Sequence, residues 1–191
     1  MRKITSEPQD ISRKKKPEIL LDIQQLEQAG QFRALRGYLI QLAKYGERPA
    51  QYESLFSKYI DSPEADLKEA ALFCLLFALQ IQNPAYRRVA VATLQDQAQD
   101  FDARMWAGSG LAMTYKHTKD AALLKTFLGV LDEAGTDKYL KVTLIRNILL
   151  VLGISSREQW LRAKSDSLPD LQQEFAAELV RARVLASKPL R

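Results

Sequence analysis

The sequence predicts an all-α fold, and three observations support this prediction. An unbroken apolar run from Ala70 to Leu79 lies inside a helical pattern covering residues 63–82, which is longer than an ordinary β-strand. Capping residues and prolines recur between further apolar segments that have helical spacing. No alternating strand pattern of convincing length is present. We therefore expect the central run to be a helix buried among other helices.

The boundary signals predict ten helices in succession. Glycines at positions 30, 46, 135 and 153 are expected to end four of them. Ser155 and Glu158 form a capping box at the start of the ninth helix. The predicted helices begin, in chain order, at Pro17, near Phe32, after Pro49, at Pro63, at Pro84, at Phe101, after Thr118, after Thr136 or Asp137, after Ser155 and after Pro169.

Composition limits the class of protein. The chain has 191 residues, of which 47% are hydrophobic, and this is enough to bury a core as one domain. Its 8 glycines and 7 prolines do not suit collagen-like or low-complexity chains. The apolar run is shorter than the roughly 20 residues of a membrane span. The first 18 residues are polar and charged and do not resemble a secretory signal, so we expect a cytoplasmic protein.

The positive charge is concentrated at the beginning of the chain. Six of the 28 Lys and Arg residues lie in the first 18 positions, against three acidic residues, so the body of the chain is close to neutral. We interpret residues 1–16 as a flexible basic arm, 17–187 as a single helical domain and 188–191 as a tail. Short basic arms are usually solvated, but contact of this arm with nucleic acid remains an alternative.

A short pattern recurs at offsets of 36 and 37 residues. It consists of an apolar-basic pair at a helix start, with an acidic residue four positions before the basic one. The three copies are Leu67-Lys68 after Glu64, Ala103-Arg104 after Asp100, and Leu140-Lys141 after Asp137. This pattern resembles HEAT repeats, in which an acidic residue in the turn between paired helices precedes such a pair. The resemblance covers about residues 48–153. It implies a right-handed α-α superhelix of about four to five HEAT-like helix pairs.

The sequence offers little material for catalysis. Its one cysteine, Cys74, lies in the apolar run and is expected to act as a small hydrophobe. Its one histidine, His117, lies near a predicted helix end and is expected to be exposed. No metal cluster can be built from Cys and His at the usual ligand spacings, and no phosphate-binding glycine motif is present. We therefore expect no catalytic residues, no metal and no cofactor.

The resemblance implies a non-catalytic scaffold or adaptor that binds another protein on its concave face, which the second helices of successive pairs would line. We expect contributions from Arg104, Trp106, Lys141 and Arg146. The sequence allows two interpretations for each of two groups of side chains. The basic residues either pair with the acids of their own helices or form a basic column. Trp106 and Trp160 are either core residues or exposed anchors of a binding surface.

Other functions are compatible with the same resemblance. Some proteins of similar HEAT-like architecture are DNA glycosylases for alkylated purines, which hold DNA in a basic concave groove, and others are bilin lyases. No motif in this chain allows the site residues of either class to be carried over. The near-neutral body argues against a nucleic-acid-binding module, which we keep as the main alternative to protein binding.

Overall fold

The computed structural model describes residues 11, 14–44, 51–163 and 165–188. All regular secondary structure in these ranges is helical, which confirms the predicted all-α class. The eleven α-helices found there are α1 (Lys16–Gln28), α2 (Phe32–Lys44), α3 (Glu53–Ser57), α4 (Ala65–Leu72), α5 (Pro84–Gln95), α6 (Phe101–Thr114), α7 (Ala121–Asp132), α8 (Lys138–Leu152), α9 (Ser156–Arg162), α10 (Leu168–Glu174) and α11 (Ala176–Ala186). A π-helical segment, Phe73–Ala78, directly continues α4.

The helices form two compact units, one ending at Ile81 and the other beginning at Gln82. In the first unit, α2 packs against α1, α4 and the π segment, and α3 packs against the π segment. Two residues of the predicted basic arm that the structure describes also contribute. Ile11 is buried, and the ammonium group of Lys14 donates to Asp22 (2.6 Å) and to the hydroxyl of Tyr38 (3.0 Å). Most of the predicted arm and the end of the tail lie outside the described residues.

The central apolar run is helical as predicted, but it is not one regular α-helix. The α-helix begins at Ala65 rather than Pro63, because the Ser62 hydroxyl accepts a hydrogen bond from the Glu64 N–H in a preceding turn (3.1 Å). Beyond Leu72 the turns widen, and the Leu79 N–H donates to the Cys74 carbonyl five residues back (3.0 Å). The spacing of apolar residues cannot predict this change from α-helix to π-helix, because residues 70–76 are buried both in α4 and in the π-helical segment.

The second unit is built from helices that pack in a regular order. Helix α6 packs against α5 and α8, and α7 packs against α5, α8 and α11. Helix α8 also contacts α9, α10 and α11, so it lies at the centre of this unit. Eight of its fifteen residues are buried. Its high apolar content, already evident in the sequence, is explained by these neighbours on several sides.

The caps show where local sequence signals are sufficient. One half of the predicted capping box is present, since the Ser155 hydroxyl accepts from the Glu158 N–H (3.2 Å), and Gly153 ends α8 with φ +104°. Two predictions are wrong. Asp120, not Thr118, caps α7 by accepting from the Leu123 N–H (2.9 Å). The last predicted helix is divided at Phe175, whose backbone leaves the helical region between α10 and α11.

Gly108 allows α6 to approach its neighbours closely. A Cβ atom at this position would lie 3.3 Å from the Asn147 side-chain nitrogen and 3.5 Å from a methyl group of Leu94. Asn147 belongs to α8 and is only 4% exposed, so it has little room to move. The absence of a side chain at Gly108 therefore helps to set the spacing between α6 and α8.

We predict opposite effects of alanine at two helical glycines. Gly108→Ala should lower the free energy of unfolding by about 1 kcal/mol, because overpacking outweighs the gain in helix propensity. Gly129→Ala on α7 meets nothing within 4 Å and should raise it by about 0.5–1 kcal/mol. Urea denaturation of both variants measures the difference. Equal stabilisation by both would show that the α6–α8 spacing does not depend on Gly108.

The loop between α6 and α7 is fixed from two sides. The guanidinium of Arg87 on α5 donates to both carboxylate oxygens of Asp120 (2.6 and 2.9 Å) and lies over the Tyr115 ring. His117 and Lys119 have positive φ angles, and their N–H groups donate to the carbonyls of Leu150 and Val151 at the end of α8. Hydrogen bonds from Arg87 lower the pKa of Asp120 below its ordinary value, although burial opposes this effect.

The lowered pKa of Asp120 predicts a specific pH dependence. A carboxylate whose pKa is lower in the folded state stabilises the protein above its unfolded pKa, and the stabilisation is lost as pH falls through the folded value. Asp120→Asn keeps a capping side chain but removes the charge, so it should cost about 1 kcal/mol near neutral pH. The difference from wild type should shrink below about pH 4. Thermal or urea unfolding across this range would refute the assignment if the difference stayed constant.

Candidate functional site

The outward sides of α6 and α8 carry a set of half-buried side chains at equivalent positions. Each of the four residues on α6 is separated by 37 residues from one of the four on α8, which is the offset at which the short acidic-apolar-basic pattern recurs. We call this set the α6–α8 stripe, and it consists of Met105, Trp106, Ser109, Met113, Val142, Thr143, Arg146 and Leu150. Residues at positions i, i+1, i+4 and i+8 share one side of a helix, so each group of four forms a continuous row.

The packing of the two helices determines which residues are left in the stripe. The opposite sides carry fully or almost fully buried residues at equivalent positions, namely Ala103, Ala107 and Leu111 on α6 and Leu140, Leu144 and Ile148 on α8. Helix α6 is covered by α5 and α8, and α8 by α6 and α7. The stripe is therefore the part of each helix that these neighbours leave partly accessible. Its composition is mainly apolar, with Trp106 and two methionines on α6.

The four residues predicted from sequence do not all lie in the stripe. Trp106 and Arg146 belong to it. Arg104 is only 7% exposed, and its Nε donates to the Leu94 carbonyl (3.0 Å). Its ion pair is with Glu133 (3.8 Å) beyond α7, not with Asp100 four residues earlier.

Lys141 lies on another side of α8, close to the end of α7. The guanidinium of Arg183 donates to both carboxylate oxygens of Asp132 and lowers the pKa of that carboxyl, with a smaller contribution from the charge of Lys141. The structure thus brings two of the four predicted residues together on one surface, and it places Arg104 and Lys141 beside acidic groups elsewhere.

Two exposed aromatic side chains lie next to the part of the stripe that belongs to α8. Tyr139 is 64% exposed and Trp160 is 73% exposed. Arg146 connects this region to the stripe, since its guanidinium forms an ion pair with Asp166 and its carbonyl accepts from the Gln159 side chain (3.2 Å). The sequence pattern indicates Trp160 as a candidate but not Tyr139 or Asp166. Helical spacing places Tyr139 on the same side of α8 as Val142 and Arg146, and this spacing is sufficient to predict its position beside the stripe.

Two cavities open in this region. One has a volume of about 400 Å³ and is lined by Lys138, Tyr139, Val142, Asp166, Ser167, Leu168 and Pro169. The other has a volume of about 350 Å³ and is lined by Trp160, Ala163, Ser165 and Asp166. Asp166 borders both cavities, so they are neighbours.

Many arginines of the described ranges are engaged by carboxylates. Besides the pairs of Arg87, Arg104, Arg146 and Arg183, the Arg36 guanidinium contacts Glu69 (3.1 Å), and Arg162 contacts Glu178 (2.7 Å) and Glu174 (3.4 Å). These ion pairs neutralise six of the positive charges of the helical body. The pairs also connect different helices, so their main effect is on the fold.

The one cysteine and the one histidine of the chain lie in different units of the structure. Cys74 is fully buried, its thiol donates to the Leu39 carbonyl (3.5 Å), and burial raises the pKa of that thiol. His117 is exposed in the loop before α7. Within the described ranges, no group of three or more His, Cys, Asp or Glu side chains is arranged to hold a metal ion. The same ranges contain no helix of sufficient length and hydropathy to cross a membrane.

Comparisons with protein-family models, with curated proteins and with solved structures find no match to this chain. The function proposed below therefore rests on the geometry of the α6–α8 stripe and its surroundings.

The buried environment of Cys74 predicts slow reaction with thiol reagents. The thiolate is the reactive form, and both burial and a raised pKa suppress it. Native protein should react with DTNB at least about a hundredfold more slowly than protein in denaturing guanidinium chloride, because reaction requires opening of the first unit. Absorbance of the released thiolate measures both rates. Rapid stoichiometric reaction of the native protein would contradict the placement of Cys74.

Proposed function

We propose that this chain is a non-catalytic helical scaffold that binds a partner protein through the α6–α8 stripe. The observation that carries the proposal is the recurrence of partly exposed, mainly apolar side chains at equivalent positions of two packed helices. Contiguous exposed apolar surface is disfavoured on a monomer unless a ligand or partner covers it. Aromatic residues, methionine and arginine are the side chains enriched in protein interfaces, and the stripe contains all three.

The packing order of the second unit supports a HEAT-like arrangement. Helices α5 and α6 form one pair and α7 and α8 the next, with α5 against α7 and α6 against α8. Stacked helix pairs of this kind present their second helices side by side, as expected for a repeat array. We propose on this basis that α5–α8 are two HEAT-like pairs. The right-handed superhelix of four to five pairs over residues 17–187 stays a prediction.

Trp106 and the methionines would have different roles in binding. Tryptophan offers a large rigid surface and is frequent among residues that dominate binding energy. Methionine is flexible and adapts its shape to a partner, so Met105 and Met113 would fill the space around the anchor. Arg146, already held by Asp166, would contribute polar contacts at one end of the stripe. The interface would then combine one anchor with adaptable surroundings.

A partner protein is better supported than nucleic acid. Binding of nucleic acid depends on cations that neutralise phosphates. In the described ranges, the arginines of α2, α5, α6, α8, α9 and α11 named above are paired with carboxylates. The basic arm at residues 1–16 lies largely outside the described residues, and nucleic-acid binding by that arm stays the alternative.

The proposal predicts how stripe variants alter partner capture. Tagged protein is incubated with its native lysate, with and without nuclease, and the bound proteins are quantified by mass spectrometry. Trp106→Ala should reduce a stoichiometric, nuclease-resistant partner about fivefold or more, as expected for the loss of an anchor worth over about 1 kcal/mol. Met105→Gln provides a milder change in the same row. Val180→Gln is the matched control, because Val180 is 62% exposed on α11 and lies outside the stripe.

The outcomes separate the alternatives. Circular dichroism first shows which variants keep the native helix content, and only those are compared. A partner retained equally by the stripe variants and the control would remove the stripe as the interface. Enrichment that disappears with nuclease would instead support nucleic-acid binding through the basic arm.

A further inference from the structure

The two cavities beside Asp166 differ in chemistry. The larger one is bordered mainly by apolar groups of Tyr139, Val142, Leu168 and Pro169. The smaller one combines the exposed indole of Trp160 with the Asp166 carboxylate, which is 81% exposed. Val142 and Arg146 belong to the α6–α8 stripe, so both cavities extend the surface proposed to bind the partner. A segment of the partner that crosses this end of the stripe would meet both.

The smaller cavity has the groups that recognise a cation. The face of an indole attracts a guanidinium or ammonium group more strongly than other aromatic rings do. Asp166 supplies the charged group among the described lining residues of this cavity. Asp166 can accept further hydrogen bonds besides its ion pair with Arg146, because a carboxylate has two oxygens and accepts from more than one donor. Charge complementarity therefore favours a positively charged side chain beside Trp160.

The larger cavity favours an uncharged aliphatic side chain. The ammonium group of Lys138 lies 4.9 Å from the centre of the Tyr139 ring at the edge of this cavity and would repel a second cation. Its volume falls in the range of pockets that hold small organic groups. The positive charge at one edge and the carboxylate between the cavities thus set an orientation, with the aliphatic group beside Tyr139 and the cation beside Trp160.

We propose that these cavities are adjacent subsites for a peptide segment of the partner in which arginine or lysine neighbours a leucine-like residue. The proposal rests on the proposed function, whose partner class it narrows. Asp166 and Trp160 bind the basic side chain, and Tyr139, Val142, Leu168 and Pro169 bind the aliphatic one. Arg146 is a positioning residue that holds the Asp166 loop against α8.

Short blocked peptides test the two subsites directly. The probes are acetyl-Gly-Leu-Arg-Gly-amide and acetyl-Gly-Arg-Leu-Gly-amide, with versions in which citrulline replaces arginine or alanine replaces leucine. Citrulline has nearly the shape of arginine but no charge. Nitrogen-15 NMR of the full chain gives separate indole signals for Trp106 and Trp160. We expect a saturable shift of the Trp160 signal by at least one arginine peptide, with affinity about fivefold above that of its citrulline or alanine version.

Two variants distinguish binding by Asp166 from a structural role. Asp166→Asn should weaken the arginine peptide to the level of the citrulline peptide. Arg146→Gln releases the loop and should weaken the arginine and citrulline peptides alike, so the preference for arginine over citrulline is kept. If Asp166→Asn also kept this preference, Asp166 would only fix its loop and the proposal would be overturned. Equal affinity for arginine and citrulline peptides, or no saturable shift at Trp160, would overturn it as well.

Failure of this inference is distinguishable from failure of the proposed function. Capture of the partner by the Trp106 and Met105 variants tests the stripe without reference to Trp160. Loss of capture in those variants, together with no peptide response at Trp160, would keep the stripe as an interface and reject the basic-aliphatic subsites. Peptide binding at Trp160 with capture unaffected by the stripe variants would limit the binding surface to the two cavities.

Discussion

The close contact between α6 and α8 is the constraint on which the proposed binding surface depends. Gly108 faces Asn147 and Leu144 with no side chain between them, so the two helices lie near one another along their buried sides. The stripe is what remains of each helix after this contact and the contacts with α5 and α7 are made. Any increase in the α6–α8 spacing would separate the row that contains Trp106 from the row that contains Arg146.

At the 37-residue offset, α6 and α8 agree in burial rather than in residue identity. Buried Ala107 corresponds to buried Leu144, and half-buried Trp106 corresponds to half-buried Thr143. Packing limits the buried positions, because their volumes must fit the neighbouring helices. The accessible positions are free of that limit, so the α6 row and the α8 row present different side chains. A surface of this kind is directional, which a partner needs in order to bind in one orientation.

Much of the fold could be predicted from sequence because its signals are local. Capping by Ser155 and the stop at Gly153 depend on residues within one turn of the helix end. The errors arise where tertiary contacts decide. Asp120 rather than Thr118 caps α7, and the same carboxylate is bound by Arg87 from a different helix, a contact that the local sequence does not reveal.

The candidate site was less predictable for the same reason. Arg104 and Trp106 are two residues apart on one helix, yet the first is buried beside Glu133 and the second lies in the stripe. The 37-residue offset relates Arg104 to Lys141 and Trp106 to Thr143. It does not show which side of α6 the neighbouring helices cover. Trp160 presents the same difficulty, since its neighbours in the sequence do not distinguish its exposed indole from the indole of a core tryptophan.

The partial burial of the stripe also determines how it would bind. The aromatic and branched side chains of the stripe are packed along one side and have already lost much of their rotational freedom in the folded protein, so ordering them costs less when a partner binds. The same packing leaves each of them less apolar area to bury, which limits the energy gained from the stripe alone. The stripe is therefore preorganised for binding, but the binding energy that it can contribute alone is modest. Recognition of a particular partner would then depend on groups that are more exposed, and Trp160, Tyr139 and Asp166 are the side chains placed to provide it.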